Sequence, residues 1–140
     1  MSANFIAPIA ALMYLVAAGL LLLHVSQRRQ QVNRAVVAVS LVALLCHAVV
    51  TWETVFAGGG VNLGFYKVSA LMFLVINVAC ISSLARRPLQ NLLIALFPLS
   101  ALAVLVSTFA PDTAPVSSQL SAGMMLHISS SILAYAVLTL

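Results

Sequence analysis

Five continuous apolar runs, residues 5–24, 35–55, 64–84, 89–109 and 122–140, constrain this chain more than any other feature. Each is close to the roughly 20 helical residues that cross a hydrocarbon core about 30 Å thick. Apolar side chains follow one another without alternating every second residue, which rules against a membrane barrel. A lipid-exposed backbone must satisfy its own hydrogen bonds, and a helix does so within the segment. The expected architecture is therefore all-α: a single polytopic integral membrane domain over residues 1–140, a bundle of five transmembrane helices.

Gly58, Gly59 and Gly60 separate the second and third runs, Pro88 the third and fourth, and Pro111 and Pro115 the fourth and fifth. These are residues that end regular structure. Pro98 falls inside the fourth run, where a kink is expected. The last run reaches Leu140 without a C-terminal helix signal, so the sequence reads as the N-terminal part of a longer bundle.

Charge sets the orientation. Arg28, Arg29 and Arg34 lie between the first two runs, and Arg86 and Arg87 between the third and fourth. The positive-inside rule places both loops in the cytoplasm and the N-terminus outside. No basic residue precedes the first apolar run, so it is a retained span and not a cleaved signal peptide. With five of six Lys and Arg residues in these two clusters, the net charge of +4 reports topology and gives no nucleic-acid footprint.

Two acidic residues in the whole chain, Glu53 and Asp112, leave no carboxylate pair for hydrolysis and no metal cage. The expectation is no enzyme. Cys46 and Cys80 form neither CxxC nor CxxCH and read as buried thiols, without a basis for covalent haem attachment.

Ionisable and polar groups within membrane spans are the functional candidates. His24 ends the first run, at the interface. His47 lies about 18 Å along its helix from the cytoplasmic end, on a face shared with Ser40, Ala43 and Thr51 at helical spacing. That face suits either an interhelical hydrogen bond or a ligand role. Asn77 and Cys80 share a face of the third run and read as packing contacts. Trp52 reads as an interface anchor, and Glu53 and Lys67 as solvated residues beside the same outer loop. His127 lies about 8 Å below the outer end of the fifth helix, heading a stripe with Ser130, Ser131, Ala134 and Tyr135.

The run from Met124 through His127, Ser130, Ser131 and Tyr135 to Ala136 resembles the haem-ligand helix of the cytochrome c assembly family of membrane proteins. More widely, Leu45-Cys46-His47-Ala48, Thr108-Phe109-Ala110-Pro111 and Gly123-Met124 make the chain similar to the N-terminal half of the family's YpjD-like inner-membrane branch. The resemblance implies a non-covalently bound haem with His127 as axial iron ligand, near the outer face of a bacterial-type inner membrane. It further implies a role in c-type cytochrome assembly, with membrane lipid, haem and other assembly proteins as partners. His47 is a second candidate at the cofactor. Ser131 and Tyr135 are candidates to orient the His127 ring, and Lys67 to meet a haem propionate. A fragment of a small-molecule permease, or a structural membrane subunit whose histidines pack helices, are the alternatives that the residues leave open.

Overall fold

A computed structural model of the chain describes residues 2–27, 34–56, 60–84, 88–111 and 121–140. They form five helices, α1 (Ala3–Ser26), α2 (Arg34–Val55), α3 (Phe65–Ser83), α4 (Gln90–Phe109) and α5 (Ala122–Leu138). No strand occurs among the described residues. The first four helices are long and apolar enough to cross a membrane, while α5, with 17 residues, is shorter. At a rise of about 1.5 Å per residue, α5 still extends about 25 Å, the lower limit for a span. Pro98 sits within α4, which continues through it as one helix. Arg28, Arg29, Arg86, Arg87, Gly58, Gly59, Asp112 and Pro115 lie outside the described residues.

α1 is the hub. It packs most extensively on α4 and α2; α3 closes the other side against α4 and α2, and α5 touches α3 alone among the helices. The sequence explains why α1 takes this place. Its inner face carries Ala3, Ala7, Ala10, Ala17 and Ala18, all buried, whereas Leu12, Leu15, Leu22 and Leu23 point outward at 52–59% exposure. Small side chains let helix backbones approach closely, and where the surroundings are as apolar as leucine, large chains have no reason to turn inward. A bundle with alanine inside and leucine outside is the pattern expected with lipid as solvent. α4 answers the alanine face with Leu93, Phe97, Ala101 and Val104, and α2 with Val36, Ala43 and Val50.

One end of the bundle is tied together by polar contacts. The Glu53 carboxylate near the end of α2 accepts the Ala3 backbone N–H at 2.8 Å and the Ser2 hydroxyl. Glu53 was expected to be solvated; instead it satisfies the N-terminus of α1, whose Ser2 side chain makes no cap. The Asn62 N–H donates to the Val55 carbonyl at 2.7 Å, and Asn62 Oδ1 accepts the Gly64 N–H at 2.9 Å. The start of α3 is thereby held level with the end of α2. Exposed Phe5, Trp52, Phe56, Phe65 and Tyr66 gather at this end, and Trp52 and Phe56 stack with centroids 4.6 Å apart. Such aromatic residues favour the headgroup level.

Glu53→Ala should free the first turn of α1. Amide exchange at Ala3 is expected to accelerate while the buried middle of α1 stays protected; unchanged exchange at Ala3 would show that the carboxylate does not hold this end.

Candidate functional site

Each long helix places one polar side chain near the middle of the bundle. His47 on α2 is fully buried, and its Nδ1 lies 2.9 Å from the hydroxyl of Tyr14 on α1. With the phenol donating into Nδ1, the ring proton resides on Nε2. Tyr14 meets the imidazole edge-on at 5.6 Å and 89°, and contacts Phe97 of α4 at 5.4 Å. One phenol thus joins three helices. On the other side of the bundle, Asn77 Nδ2 of α3 donates to Ser100 Oγ of α4 at 2.6 Å and to the Phe73 carbonyl at 2.8 Å.

The face proposed from spacing is present: Ser40, Ala43, His47 and Thr51 are all buried. Asn77 and Cys80 are buried as well. Both cysteines are free thiols, Cys80 buried and Cys46 partly so. His24, expected at an accessible interface, is instead buried in the last turn of α1, and its Nε2 has no partner among the described residues. Tyr14 and Ser100 escaped the sequence reading. A single phenol or hydroxyl in an apolar run carries little signal, although Tyr14 stands out in hindsight as the one bulky residue on the alanine face of α1.

α5 is different. Ser121 caps it, accepting the Met124 N–H at 3.3 Å, and only Ile132 and Ala136 are buried. His127 is exposed, as are Ser130 and Tyr135, so the stripe forms along α5 but lies on its open surface. The Ser130 and Ser131 hydroxyls donate to the His127 carbonyl at 3.0 and 2.8 Å. Hydroxyls bonded back to their own helix in this way are not at the imidazole nitrogens. His47 and His127 do not share a site, since one lies inside the four-helix bundle and the other on a helix that packs on α3 alone. Lys67 lies in the first turn of α3, half-buried.

Among the described residues no three His, Cys, Asp or Glu side chains converge into a metal cage. Haem iron asks less of the chain, since one imidazole can fill an axial position. The open His127 ring meets that requirement, and α5 supplies one apolar wall beside it, with Met124 at 51% and Leu126 at 72% exposure.

No family model matches this chain, and neither a curated protein nor a solved structure matches it. Fold and site define an all-α bundle whose four long apolar helices are compatible with an integral membrane protein.

Proposed function

We propose that this chain is an integral protein of a bacterial-type inner membrane that binds or handles haem through His127, in support of c-type cytochrome assembly. The observation that carries this reading is the exposed imidazole on an otherwise apolar helix. A polar ring presented at membrane depth is costly unless it meets a partner. Haem iron is such a partner, and the macrocycle suits the apolar surface around it. The resemblance of the Met124 to Ala136 run to a haem-ligand helix points the same way. His127 would hold the iron, and Tyr135, two turns along, would border the same face. His47 has no ligand role in this reading, because one ring nitrogen is committed to Tyr14 and the residue is fully buried.

The test is an absorption spectrum of the protein purified in detergent after expression with ample haem, oxidised and reduced. A Soret band with reduced-state bands is the expected result. A colourless protein would favour the second reading, a structural subunit whose histidines pack helices, which the Tyr14 to His47 bond supports.

The proposed orientation has the N-terminus outside, with the aromatic end of the bundle at the outer headgroups and the arginine clusters in the cytoplasm. In a background lacking Cys46 and Cys80, Pro111→Cys should react with an impermeant thiol reagent from outside, and Asn91→Cys only after lysis. The reverse pattern would invert the topology.

A further inference from the structure

Three buried polar atoms on α2 and α3 have no hydrogen-bond partner among the described residues: Thr51 Oγ1, His47 Nε2 and Asn77 Oδ1. Their side chains are 3%, 0% and 0% exposed. Measured from the aromatic end, their positions form a regular series. Thr51 and His47 precede the last residue of α2, Val55, by four and eight residues, which is about 6 and about 12 Å. Asn77 follows the first residue of α3, Phe65, by twelve residues, about 18 Å. The two ends share a level because Asn62 is bonded to Val55. α2 and α3 pack on each other. The backbone of Ala70 on α3 interacts with the His47 ring without closing a hydrogen bond to Nε2.

Thr51 is also unusual among the hydroxyls of this protein. Ser40, Thr54, Ser100 and Thr108 each donate to the carbonyl four residues earlier. Thr51 does not, and its hydroxyl is left without a partner. The three atoms are complementary in role. With Tyr14 donating to Nδ1, His47 Nε2–H is a donor; Asn77 has its amide hydrogens on Ser100 and Phe73, so Oδ1 is an acceptor; the threonine hydroxyl is both. Water gives and takes in the same way. One molecule between two polar atoms spans two hydrogen bonds, about 5.6 Å in all, which matches the spacing of the series.

We propose that Thr51, His47 and Asn77 line a file of water molecules that enters between α2 and α3 at the aromatic end and stops at the Asn77 to Ser100 bond. The file reaches about halfway through the bundle and makes His47 a solvent-connected imidazole inside an apolar fold. It is independent of the haem reading, since His127 lies on α5, outside this sector.

Water-edited solid-state NMR of the full chain in lipid bilayers tests the proposal, with 15N-labelled histidine and 13C-labelled valine. Magnetisation from water should reach the His47 ring nitrogens several-fold faster than the buried Val50 methyls. Thr51→Val should slow that transfer several-fold while the Tyr14 to His47 bond persists, and Thr51→Ser, which keeps the hydroxyl, should restore it. A His47 ring as slow as Val50 in the unaltered protein would overturn the file, a result that needs no variant to fold. A wet His47 indifferent to Thr51→Val would overturn the entry past Thr51.

Discussion

Tyr14→Ala should be among the most destabilising single truncations in the bundle. Deleting a fully buried aromatic side chain from a packed core costs about 3–5 kcal/mol. In lipid, that loss comes mainly from vacated packing, because the membrane gives little hydrophobic drive between helices. Tyr14 is fully buried between His47 and Phe97, so its removal opens the contact of α1 with both neighbours. It also strips Nδ1 of His47 of its partner, adding about 1–3 kcal/mol for a buried polar atom left unpaired. Tyr14→Phe keeps the ring and isolates the hydrogen bond, for which interhelical pairs in a membrane average about 0.6 kcal/mol and reach about 1.7. Unfolding in mixed micelles should therefore order the proteins wild type, Tyr14→Phe and Tyr14→Ala, with most of the loss in the last step. Equal stability of Tyr14→Ala and wild type would mean that the three-helix junction is not the keystone of the bundle.

The helices were legible in the sequence because runs of this length and apolarity leave the backbone few alternatives. The His47 face was legible too, since Ser40, Ala43 and Thr51 recur at helical spacing and all are buried. What could not be read was which way most residues face. In a soluble protein, polar residues mark the outside of a helix; here Leu12 faces out and Ala10 faces in, and both are apolar. Size, not polarity, separates the two faces, and only α1 shows that contrast plainly. Cross-helix partners were equally hidden. Tyr14 bonds His47 across 33 residues, Asn77 bonds Ser100 across 23, and Glu53 reaches back 50 to Ala3. None of these separations reflects a local period. The α5 stripe was assembled correctly from spacing, yet spacing carried no sign that α5 packs on α3 alone and leaves His127 exposed.

The structure separates the two histidines that the sequence had offered as haem candidates, one locked against a phenol and the other open on α5. Their substitutions should therefore fail in different ways. His127→Ala removes the only exposed imidazole among the described residues and leaves the four-helix core untouched. His47→Leu discards the Tyr14 bond and leaves the phenol buried without its partner, a stability defect of about 1–3 kcal/mol. The deciding measurement is haem per protein, with the Soret band, for these two variants purified beside the wild type. The account predicts that His127→Ala loses most of its haem at unchanged melting temperature, with added imidazole partly restoring the band, while His47→Leu melts lower but keeps its haem. Wild-type haem content and an unchanged spectrum in His127→Ala would contradict it.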